Sequence, residues 1–187
     1  MKRFVLSTLA ALFAASAAVA QDIDALSAES RAAIKAFGGS LKAELQAAIK
    51  AGGPANAIEV CNERAPEIAA EVSGARGLDV ARRSLRNRNP LNEPTAWEAA
   101  VLERFEARKA AGESVDQIDH AEVVETDGGK VFRYMKAIPT GEVCLKCHGK
   151  ELAPEVVEQL ESLYPEDTAK GFSLGDIRGA FRVVKPL

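Results

Sequence analysis

Aromatic side chains make up only 5% of this 187-residue chain, and methionine and histidine occur twice each. Few rings are available to sandwich a planar ligand, so a large flat cofactor would rest on aliphatic walls and covalent bonds. Beyond residue 20 no apolar run approaches the ~20 residues that a membrane-spanning helix needs. Internal repeats and low-complexity linkers are lacking too. Cysteine is sparse, at Cys61, Cys144 and Cys147. An even set in an exported chain would suggest disulfides. An odd set with two members close together points to cofactor chemistry instead. No basic excess exists, since the net charge is −3, which argues against nucleic acid as a partner.

What is present begins with a leader. Lys2 and Arg3 precede an apolar stretch from Phe4 to about Ala15, and Ala18-Val19-Ala20 forms a small-residue cleavage site. This pattern predicts a secretory signal peptide over 1–20, cleaved after Ala20, and a periplasmic mature chain without a stable membrane span. Its removal takes away two basic residues and no acidic ones, moving the net charge from −3 to −5. The length of the remainder, 21–187, suits a single domain.

Leu26, Ala33, Phe37, Leu41, Leu45 and Ile49 recur at helical spacing, so a long helix is expected from Asp24 to about Ala51, ended by Gly52-Gly53-Pro54. Asn56 is the expected cap of a second helix reaching about Val72, kinked by Pro66. A short strand is expected over 77–85 and a turn at Asn89-Pro90. Thr95 and Glu98 form a capping box for a helix to about Ala111, buried through Trp97, Val101, Leu102 and Phe105. Strands over 121–125 and 131–138 flank Asp127-Gly128-Gly129 as a hairpin. A short helix over 154–163 and a last strand over 177–184 complete an α+β order with a small antiparallel sheet.

Directly after the hairpin stands Cys144-Leu145-Lys146-Cys147-His148. In a C-x-x-C-H motif each thiol adds to one haem vinyl group, and the adjacent imidazole reaches the iron. The expectation is one haem c, attached through Cys144 and Cys147 with His148 as an iron ligand. A thiol–disulfide oxidoreductase would place the pair at the start of a long helix in a βαβ setting. Here an antiparallel hairpin precedes it, and Gly149 and Pro154 prevent a long helix. Structural zinc is the other alternative. The late position of the motif, with no methionine after it, is unlike mitochondrial-type cytochromes c. The flanking strands are unlike the helix bundle of cytochromes c-prime.

Three residues compete for the opposite face of the iron. Spacing ranks Cys61 first, as a soft donor on the second helix, then His120, then Met135. Arg82, Arg83, Arg86 and Arg88 form a basic cluster in an otherwise acidic chain. Guanidinium binds carboxylate bidentately. Arg88 is therefore the first choice for a haem propionate partner and Arg178 the second, with a solvated loop and strand edge as the alternative.

Several motifs, read in order, resemble a family of exported single-haem domains long filed under unknown function. They are Ala57-Ile58-Glu59-Val60-Cys61 with Ala65-Pro66-Glu67-Ile68-Ala69, then Arg83 to Pro90 with Asn92, Pro94, Trp97 and Glu98. Tyr134, Ala137 to Thr140, the C-x-x-C-H segment, Gly171-Phe172 and Gly175 to Phe181 follow. The resemblance spans nearly all of the mature chain. It implies a PAS-like sheet flanked by helices and an axial pair of His148 and Cys61.

The expected function is redox sensing or electron transfer with an unidentified redox or signalling protein. The chain is not expected to be an enzyme, because no catalytic constellation accompanies the haem motif. A gas-binding sensor module is the first alternative, and a small peroxidase or nitrogen-oxide reductase the second. Homo-oligomerisation is left open.

Overall fold

The computed structural model describes the chain from residue 5, and its side chains from residue 22. The leader expected over 1–20 and its cleavage site therefore lie outside the residues described in full. Among the described residues no helix is long and apolar enough to cross a membrane.

Helix α1 (Val5–Glu59) bends at Gly52 and Gly53, whose backbone leaves the helical region there. Gly53 has φ 78°, a left-handed conformation that glycine adopts without a Cβ penalty. The break falls where Gly-Gly-Pro predicts it. Asn56 does not cap a new helix. It lies inside the second limb, and its side-chain amide donates back across the bend to the Ala48 carbonyl at 3.2 Å. The chain then makes a π-helical turn, Val60–Arg64, before α2 (Ala65–Arg76). The irregularity expected from Pro66 takes this form. Proline has no N–H to offer the preceding turn, and the Ala65 N–H bonds the Val60 carbonyl, five residues back. A π turn inside a helix often marks a functional position, and this one carries Cys61.

The sheet is four-stranded and antiparallel, in the order β1-β4-β3-β2, from β1 (Asp79–Arg83), β2 (Asp119–Thr126), β3 (Gly129–Pro139) and β4 (Ile177–Pro186). A tight turn at Asp127-Gly128 joins β2 to β3, with Thr126 paired to Gly129. Helix α3 (Ala96–Ala110) starts at the expected capping box. Helices α4 (Glu142–His148) and α5 (Pro154–Leu163) lie between β3 and β4.

Strand alternation gives each face of the sheet its own core, and a third cluster, Ile58 with Val156, Leu160 and Tyr164, packs α5 against the second limb of α1. On one face Phe132, Tyr134, Val80 and Val183 pack against Ala33, Phe37 and Leu41 of α1 and Ile68 of α2. On the other, Met135, Ala137, Ile177 and Ala180 meet Val101, Leu102 and Phe105 of α3. Fully burying a side chain such as Phe37 or Phe132 stabilises the fold by roughly 1.5–3 kcal/mol. Trp97 is only partly buried, with the Arg133 guanidinium 4.7 Å from its ring centre. The α+β architecture is the one expected: an antiparallel sheet flanked by helices, with a long N-terminal helix.

Candidate functional site

The C-x-x-C-H segment forms α4. Cys144 and Cys147 are three residues apart and therefore share one helical face. The helix stops at Gly149, where a Cβ would lie 2.5 Å from the Leu145 carbonyl oxygen, so only glycine fits. The segment around 170 then fixes the helix end. The Gly171 N–H donates to Gly149 at 2.8 Å, and the Phe172 N–H to the His148 carbonyl at 2.9 Å.

His148 is oriented by a single bond. Its Nδ1 lies 2.7 Å from the Ala169 carbonyl oxygen. A carbonyl only accepts, so Nδ1 carries the proton and Nε2 keeps a free lone pair. Burial, and then the charges of Arg178 and Arg88, hold the imidazole well below its ordinary pKa. The ring is therefore neutral at physiological pH, the form that binds a metal. The Phe172 ring meets it edge-on, with centroids 6.3 Å apart.

These side chains open into a cavity of about 380 Å³. One wall is aliphatic: Leu41, Leu45 and Ile49 of α1, with Ile58 beyond the bend. The π turn contributes Cys61, α4 contributes Cys144, Cys147 and His148, and the sheet contributes Ile138 and Phe181. All three cysteines are free thiols. Burial pushes the Cys147 thiol above its ordinary pKa, unlike the depressed thiol of a disulfide oxidoreductase. Among the described residues no group of three or more His, Cys, Asp or Glu side chains is arranged to hold a metal ion.

The two rivals of Cys61 lie elsewhere. Met135 is fully buried against α3, on the other face of the sheet. His120 sits on β2 with Nε2 3.4 Å from Glu122 and 3.5 Å from Arg104. Neither lines the cavity.

The arginines divide sharply. Arg83 pairs with Glu98 at 3.0 Å, and Arg182 holds the other oxygen of that buried carboxylate at 3.0 Å. Arg88 is buried and engaged through Nε and Nη2. It donates from Nε to Asp167 at 3.0 Å and from Nη2 to the Cys147 carbonyl at 2.6 Å and the Ala169 carbonyl at 3.3 Å. Its guanidinium thus braces the two backbone positions that set α4 and His148. Arg178 and Arg82 also line the cavity. Asp167 and Ala169 were missed by sequence reasoning, and Arg82 was read only as one member of the basic cluster. Strand alternation was the available signal for Arg82, because adjacent residues in β1 face opposite sides.

Fold and cavity together define a small α+β binding domain whose site gathers thiols, a neutral imidazole and arginines on one face of the sheet. The chain belongs to the Tll0287-like family, whose model matches residues 7–186. It is similar to the crystal structure of the cyanobacterial heme-protein Tll0287, with 27% identity and a TM-score of 0.54. The match covers 68% of this chain and 71% of that one. No curated protein matches. Both matches bear out the family resemblance read from the motifs.

Proposed function

We propose that this chain is an exported monohaem protein of c type that acts in redox sensing or electron transfer. In this reading Cys144 and Cys147 hold the haem covalently, and His148 and Cys61 are its iron ligands. One observation carries it: Cys61, Cys144, Cys147 and His148, from elements more than eighty residues apart in the chain, line a single cavity. The similarity to a solved heme-protein supports the same cofactor. The residues fit the group, since two thiols share a helical face, Nε2 of a neutral imidazole is unprotonated, and a third thiol faces the same space.

Bound haem supplies a one-electron couple at its iron. The chain's own residues set the conditions for it. The Ala169 carbonyl fixes the His148 tautomer and raises its basicity as a ligand. Arg88 prevents the carbonyls of Cys147 and Ala169 from shifting. Leu41, Leu45 and Ile49 of α1 offer the bound group an apolar wall. An anionic sulfur donor from Cys61 favours ferric over ferrous iron, which lowers the potential relative to a His/Met pair.

The test is a haem stain of the exported protein on a denaturing gel, with a pyridine-haemochrome spectrum. Haem is expected to migrate with the wild-type chain and to be lost in Cys144→Ala/Cys147→Ala. A haem-free wild-type chain, exported from cells that mature c-type cytochromes, would overturn the proposal.

A further inference from the structure

Two guanidiniums in the cavity have no carboxylate in contact among the described residues. Among the described residues Arg82 makes no side-chain hydrogen bond or ion pair; its guanidinium carbon lies 5.8 Å from the Phe37 ring centre. Arg178 makes only two long contacts from Nη1, at 3.3 Å to Ser84 Oγ and to the Arg86 carbonyl, and lies 5.2 Å from the Phe172 ring centre. Of the neighbouring arginines, Arg83 pairs with Glu98, Arg88 with Asp167, and Arg182 with Glu98 and Asp79, while Arg86, which does not line the cavity, stacks on the Phe172 ring at 4.1 Å and donates from Nε to the Thr168 carbonyl at 3.4 Å.

The fold brings Arg82 and Arg178 together. Alternation in β1 sends Arg83 to the α3 side and Arg82 to the α1 side. In β4 the register shifts beside Ile138 and Pro139. Ile177 and Ala180 therefore both reach the α3 core, while Arg178 turns to the cavity. Burial, and then the charges of Arg88 and Arg82, lower the Arg178 pKa to about 10. Burial likewise lowers that of Arg82. Two adjacent, partly desolvated cations are costly to hold without anions. A pair of carboxylates on one ligand offsets both, and guanidinium binds carboxylate through two parallel N–H bonds.

We propose that Arg82 and Arg178, rather than Arg88, receive the two propionates of the bound group. This rests on the haem reading above. The test is infrared spectroscopy of holoprotein grown on a haem precursor that isotopically labels the propionate carboxyl carbons. Arg82→Gln and Arg178→Gln should each shift a labelled carboxylate band, and Lys42→Gln, which changes another cation of the cavity wall, should shift neither. If a glutamine variant fails to yield holoprotein, the lysine variant takes its place. It keeps the charge but loses the two-pronged contact, so the band should still move. Labelled bands unmoved in both arginine variants, or moved only in Lys42→Gln, would overturn the assignment while leaving the haem reading intact. A wild-type chain without haem would sink the haem reading itself.

Discussion

Arg82 and Arg83 are neighbours in sequence and opposites in structure. As a sequence feature they belong to one basic cluster with Arg86 and Arg88. The strand pleat separates them, and their partners come from far along the chain. Glu98 is 15 residues from Arg83, and Asp167 is 79 residues from Arg88. Such pairings depend on tertiary contacts, which is why Arg88 reads as a propionate partner in sequence and as a brace in the structure. The thiols and the imidazole were legible because a five-residue motif carries them on one short helix. Arg88→Ala should act through stability. It leaves the Asp167 carboxylate, with its side chain 2% exposed, without an ion-pair partner and held only by the Ala169 N–H at 2.8 Å. The expected loss is about 3–5 kcal/mol, measured by denaturant unfolding of the holoprotein. A loss under about 1 kcal/mol, as for an exposed ion pair, would contradict the bracing role.

At the scale of elements, most boundaries were legible because local chemistry decides them. Examples are the Gly-Gly-Pro break in α1, the Thr95 capping box, the Asp-Gly turn and the proline-initiated α5. The π turn was not, since Pro66 announces an irregularity without saying which kind. Backbone packing between β1 and β4 was also invisible in sequence. Gly179 has φ 152°, and a Cβ there would lie 2.4 Å from the Arg83 carbonyl oxygen. Gly179→Ala must push β1 and β4 apart beside Arg82 and Arg178. Holding a non-glycine residue in such a conformation costs of order 1–3 kcal/mol, and the backbone clash adds to it. A lowered unfolding midpoint, with a shifted haem absorption band, is the expected result. Unchanged stability would show that the strands can part freely.

Across the whole molecule, one sheet separates a purely structural core from a face that holds chemistry. Met135 and α3 fill the first side, while α1, the π turn and α4 enclose the cavity on the second. The α+β order, the hairpin and the closing strand could be read from periodicity and turns. Which face carries the site could not, because it depends on where α4 folds back, more than eighty residues after Cys61. The bend in α1 and the π turn bring that cysteine to the C-x-x-C-H helix, and the proposed function depends on this juxtaposition. The most direct test is the visible spectrum of oxidised Cys61→Ala. The variant should keep covalent haem, since Cys144 and Cys147 are untouched. It should lose the low-spin thiolate signature and titrate at a higher potential than wild type. An oxidised spectrum identical to that of wild type would contradict the assignment of Cys61 as the second iron ligand.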